Sequence, residues 1–73
     1  MESYLVTLAA GGDLQCVQRH LRVMTANCLD SADKLKAIQK LRTERDKALM
    51  AALNAGHKHI TAFLKMHGAV LQD

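Results

Sequence analysis

Proline and tryptophan are missing from this chain, and only two aromatic rings occur, Tyr4 and Phe63. The apolar residues are chiefly Ala, Leu, Val and Met, which suit helices packed closely on helices and fit a pleated β surface poorly. A β-sandwich is therefore excluded, and an all-α composition is left. No uncharged run approaches the roughly 20 residues that a membrane-spanning helix needs. Cysteine is scarce, with Cys16 and Cys28 alone, so no disulfide framework is implied. The opening Met1-Glu2-Ser3 lacks the basic segment of a secretory signal, and together with the two thiols this points to a reduced, cytoplasmic protein. Charge of neither sign dominates. Ten basic residues face seven acidic ones, a net +3, and they interleave, as in Lys40, Arg42, Glu44, Arg45, Asp46 and Lys47. A surface that tracks phosphates needs its basic residues clustered without acidic neighbours, so a solvated surface is the expectation.

What the chain has is 49% apolar residues in 73 positions, enough for one helical domain over residues 1–73. A domain of this size buries only about 60% of its unfolded surface, so its stability is a few kcal/mol at best without a staple or partner. Glycine is used as punctuation: of four glycines, Gly11, Gly12 and Gly56 sit at two corners between apolar runs. Each corner separates a small-residue helix from a second, amphipathic one, which makes a helical hairpin.

Four to five short helices are predicted. The first covers residues 2–10, with Ser3 as a candidate N-cap, and stops at Gly11-Gly12. Asp13 is placed to cap the second, whose Leu14, Val17, Leu21, Met24 and Cys28 form one apolar stripe at spacings of three and four. Gln18, Arg19 and Arg22 fall outside the stripe. Residues 27–33 read as a turn, with Asp30 or Ser31 as the next cap and Asp33 adding favourable charge to the helix start. Leu35, Ile38 and Leu41 then form a narrower stripe. The polar run Thr43-Glu44-Arg45-Asp46-Lys47 fits either a restart at a weak capping box of Thr43 with Asp46, or one long helix; the restart is favoured. Ala48, Leu49, Ala52 and Leu53 line the following helix, and Ile60, Phe63, Leu64 and Leu71 line the last, which Gly68 stops.

Two of these stretches resemble the second helix of ankyrin repeats. The first reads Gly12-Asp13-Leu14-Gln15-Cys16-Val17-Gln18-Arg19-His20-Leu21, and the second reads Gly56-His57-Lys58-His59-Ile60-Thr61-Ala62-Phe63-Leu64, followed by Gly68-Ala69. Leu5 and Ala9, and Leu49 and Ala52, fall where that family's first helix carries its leucine and small residues. The resemblance covers residues 3–24 and 46–69. The Thr-Pro-Leu-His opening is replaced by Ser3-Tyr4-Leu5-Val6 and Lys47-Ala48-Leu49-Met50, and His20 and Met24 stand where a leucine and a glycine belong. Gly12 and Gly56 lie 44 residues apart, against a repeat of about 33 in the family. The resemblance implies antiparallel helical hairpins stacked side by side and a protein-binding role, with a plain four-helix bundle as the alternative architecture. In the family's frame the recognition surface combines Tyr4, Thr7 and Ala10 with Lys47, Met50 and Asn54, and Tyr4 and Met50 are its best anchors.

Other chemistry finds little support. Histidines at 20, 57, 59 and 67 include no pair four apart, the spacing a helical metal site requires, so no metal and no cofactor are expected. Cys16 and Cys28 read as buried small hydrophobes. His20 follows Cys16 by four residues, but a chain this short encloses no substrate cleft, and an enzyme is not expected. The runner-up is a helix-turn-helix nucleic-acid binder using the Ala52–Gly56 corner, with Lys58, His59 and Lys65 on its reading helix. Arginine and asparagine, the usual base readers, are missing from that helix. A protein partner is thus favoured over nucleic acid, a membrane partner is not expected, and the small core leaves room for a homo-oligomer.

Overall fold

The computed structural model describes residues 4–70, which form four helices packed on one another and, among the described residues, no strand. They are α1 (Tyr4–Gly11), α2 (Leu14–Leu29), α3 (Lys34–Ala55) and α4 (Lys58–Met66). Asp13 caps α2 as expected, its Oδ1 accepting from the Cys16 N–H at 3.1 Å. Satisfying a free N–H in the first turn in this way stabilises a helix by about 1 kcal/mol.

Both hairpin corners close by the same device. Gly12 and Gly56 adopt φ of +80° and +79°, a left-handed conformation that other residues reach only at a cost. The residue after each glycine then bonds five positions back, Asp13 N–H to the Leu8 carbonyl at 3.4 Å and His57 N–H to the Ala52 carbonyl at 2.9 Å. This pattern satisfies carbonyls that a helix end leaves without partners. Ala69 repeats it after Gly68, donating to the Leu64 carbonyl at 3.0 Å, so the predicted stop is present.

The core runs through all four helices and contains Leu5, Ala9, Val17, Leu21, Ala48, Leu49, Ala52, Ile60 and Leu64. Of the helix pairs, α1 and α3 pack most extensively. Ala9, Ala48 and Ala52 are fully buried, and such small side chains let two helix axes approach closely. The stripe predicted on α2 faces this core: Val17, Leu21 and Cys28 are buried, and Leu14 and Met24 are half-buried. Gln18, Arg19 and Arg22 are exposed.

Several expectations need correction. No break occurs at Thr43, because α3 is one helix of 22 residues. The Thr43 hydroxyl donates to the Gln39 carbonyl at 3.0 Å, inside the helix, and the Asp46 carboxylate accepts from the Val70 N–H at 3.0 Å. The two side chains that would have made a capping box are thus used elsewhere. The turn before α3 is shorter than predicted, since α2 continues to Leu29. Its cap is Asp33, which accepts from the Lys36 N–H at 3.1 Å; Asp30 instead ends α2, and Ser31 donates to the Asp33 carbonyl. Of the stripe Leu35, Ile38 and Leu41, only Leu41 packs against the core, because this end of α3 runs past α1 and α4. Leu53 is also exposed, and Cys16 is half-buried where burial was expected. Ser3 and Leu71 lie outside the described residues.

Candidate interaction site

The two corners meet. The His57 ring reaches across to α1, with Nε2 3.1 Å from the Ala10 carbonyl oxygen, so that ring nitrogen carries the proton and donates. The ring lies flat over Gly12: a Cβ there would stand 2.6 Å from His57 Cε1, where no real Cβ fits. Hence α1 and the second half of α3 end at the same place. They run side by side in the same direction, and each is followed by its returning helix.

The five predicted contact residues divide between α1, with Tyr4 and Thr7, and α3, with Lys47, Met50 and Asn54. Thr7 on α1 and Lys47, Met50 and Asn54 on α3 are all exposed, on helix faces turned away from the buried Leu5, Ala9, Ala48, Leu49 and Ala52. Lys47, Met50 and Asn54 are spaced by three and four, so they share one face of α3. Tyr4 is 63% exposed, but its ring turns toward α2, edge-on to His20 with centroids 5.0 Å apart. It forms the lip of a cleft of about 330 Å³ whose other walls include Met24, Leu41 and Glu44. The aromatic anchor therefore sits on the α2 side of α1, and the adaptable Met50 sits on α3.

No protein-family model, curated protein or solved structure matches this chain. Among the described residues no three His, Cys, Asp or Glu side chains are grouped to hold a metal ion, and no helix is long and apolar enough to cross a membrane.

Two constellations escaped the sequence reading. Arg45 spans from α3 to the end of α4, donating from one terminal nitrogen to the His67 carbonyl at 2.7 Å and from the other to the Gly68 carbonyl at 3.2 Å. Its guanidinium covers Gly68 at 3.6 Å from the position a Cβ would take. Arginine is suited to this because it presents several fixed donors to the carbonyls of a helix end, where the dipole also favours a cation. The second is Asp13 with Cys16. Hydrogen bonds from Cys16, the thiol first and then the backbone N–H, hold the Asp13 carboxyl below the usual carboxylate range. That carboxylate in turn pushes the Cys16 thiol up, away from the reactive thiolate.

Proposed function

We infer that this chain is a small protein-binding scaffold of the ankyrin-like kind, two stacked helical hairpins that present a partner with the exposed side chains of α1 and the second half of α3. The observation that carries this reading is the corner-to-corner contact of His57 with Ala10 and Gly12, which lays the two first helices of the hairpins side by side. In stacked-repeat scaffolds that arrangement produces an extended recognition surface. Thr7, Lys47, Met50 and Asn54 supply mixed polar and adaptable apolar contacts there, and Tyr4 closes one edge.

The test is capture of a partner by the immobilised chain from its native cytoplasm, compared with Tyr4→Ala and Met50→Ala. Both side chains are exposed, so thermal unfolding should stay close to that of the parent while capture is lost. Capture unaffected by either change refutes the surface. Duplex DNA binding that weakens steeply with salt and disappears on changing Lys58 and Lys65 to glutamate would favour the nucleic-acid reading instead.

A further inference from the structure

The second hairpin is open on the side away from the first. Phe63 and His67 turn one side of α4 toward α2, where they share a cleft with Leu21, Arg22 and Leu29. By helical spacing Lys58, Thr61, Ala62 and Lys65, at i, i+3, i+4 and i+7, form a separate stripe on α4. All four line one groove of about 370 Å³ together with Leu53 of α3 and the corner Gly56. No residue of α1 or α2 lines it. Its floor is apolar. Leu53 is 45% exposed, Ala62 is exposed, and the buried Thr61 has its hydroxyl engaged by the His57 carbonyl at 3.0 Å, within its own helix. The small residues Gly56, Thr61 and Ala62 let a further helix axis approach closely.

The charged side chains lining this groove are Lys58 and Lys65, seven positions and about 10 Å apart along α4. No carboxylate accompanies them: the described residues from Lys47 onward include Lys47, Lys58 and Lys65 and no acidic residue. An apolar floor between two cations two helical turns apart is complementary to a helix that carries carboxylates at the same interval around apolar positions. We propose that this groove docks an acidic amphipathic helix of a partner protein, laid alongside α4. Its apolar positions meet Leu53 and Ala62, and its carboxylates at i and i+7 meet Lys58 and Lys65. A second copy of this chain offers no such helix. Its described carboxylates are Asp13, Asp30, Asp33, Glu44 and Asp46, no two of them seven apart, and Asp13, Asp33 and Asp46 already accept backbone N–H groups. A duplex backbone needs a wider set of cations and would meet Leu53 and Ala62 between these two. A flat lipid surface does not enter a groove between two helices. A helix in an apolar groove, steered by opposite charge, matches both the floor and the lysines.

The experiment selects binders to the full chain from a display library of short helical peptides with leucine or alanine at i+3 and i+4 and glutamate, lysine or glutamine at i and i+7 of the same face. Peptides with glutamate at both flanking positions should be enriched. Their affinity should fall by roughly tenfold or more on Lys58→Glu, Lys65→Glu or Ala62→Glu. The matching lysine peptides should bind the chain that carries both Lys58→Glu and Lys65→Glu, a reversal that general loss of structure would not produce. Tyr4→Ala and Met50→Ala, on the proposed α1–α3 surface, should leave this binding unchanged, so the two readings fail separately. Enrichment of basic or neutral peptides by the parent chain, no enrichment, or affinity unchanged in the groove variants overturns the proposal. So does self-association in sedimentation, uptake by phosphatidylserine vesicles or binding of duplex DNA, if it occurs in place of peptide binding and is abolished by the same changes. Thermal unfolding checks the fold of each variant. Glutamate in the first turn of α4 is favoured by the helix dipole, so Lys58→Glu carries the test if Lys65→Glu is unstable.

Discussion

Alanine at the two corner glycines should cost unequal amounts, and the difference measures the contact between the hairpins. Gly56 and Gly12 have nearly the same φ, so forcing a Cβ into the left-handed region costs each about 1–2 kcal/mol. Around Gly56 a new Cβ meets nothing within 4 Å. At Gly12 it would stand 2.6 Å from His57 Cε1 and 2.9 Å from Nε2, so the ring must leave and the bond to the Ala10 carbonyl goes with it. A hydrogen bond of that kind adds about 1 kcal/mol. Gly12→Ala should therefore cost about 2–3 kcal/mol, a large share of what a domain of this size has. Each kcal/mol lowers the melting temperature by roughly 4–8 °C, so Gly12→Ala should melt well below Gly56→Ala when unfolding is followed by circular dichroism. In a His57→Ala background the extra cost of Gly12→Ala should disappear, a coupling that a double-mutant cycle isolates. Equal losses at the two glycines, or an unchanged Gly12→Ala cost without the His57 ring, would refute the stacked-corner account.

Three further outcomes are expected. Leu49→Ala, at a fully buried position, should destabilise by about 2–5 kcal/mol, whereas Leu53→Ala, 45% exposed, should cost about 1 kcal/mol or less, both read from urea denaturation. Arg45→Ala should cost about 1–2 kcal/mol by releasing the end of α4, and hydrogen exchange of the Ala69 and Val70 amides should accelerate while that of the α1 amides does not. Asp13 has a folded-state pKa below its unfolded one, so its contribution is present above about pH 3.9 and is lost as pH falls through the lower folded value. Asp13→Asn should thus be less stable than the parent at neutral pH, with the gap closing in acid, and Cys16 in that variant should react faster with iodoacetamide at mildly alkaline pH.

The parts of the fold legible in the sequence are those where one residue type has one physical reason to be present. The glycine corners, the Asp13 cap and the stripe from Leu14 to Cys28 are of this kind, because the backbone conformation, the free N–H groups and the helical period each admit few solutions. The continuity of α3 was not legible. Thr43 and Asp46 satisfy the local signature of a helix start, and only the arrival of Val70, 24 positions on in the sequence, diverts the Asp46 carboxylate. Leu35 and Ile38 misled for a related reason. Their spacing gives a stripe correctly, but whether a stripe meets a partner depends on how far α1 and α4 extend, which periodicity within α3 does not contain. Of the candidate site, exposure of Thr7, Lys47, Met50 and Asn54 followed from their place opposite the core residues, whereas the turn of Tyr4 toward His20 depends on α2.

The central claim is that the two hairpins stack in the same sense, corner on corner, and the nuclear Overhauser effect between the His57 ring and Gly12 tests it most directly. The account predicts a strong cross-peak from His57 Hε1 to the Gly12 α-protons, since the ring lies over that glycine. A Gly12 signal with no cross-peak to His57, in a chain whose α1 and α3 amides are otherwise protected, would contradict it.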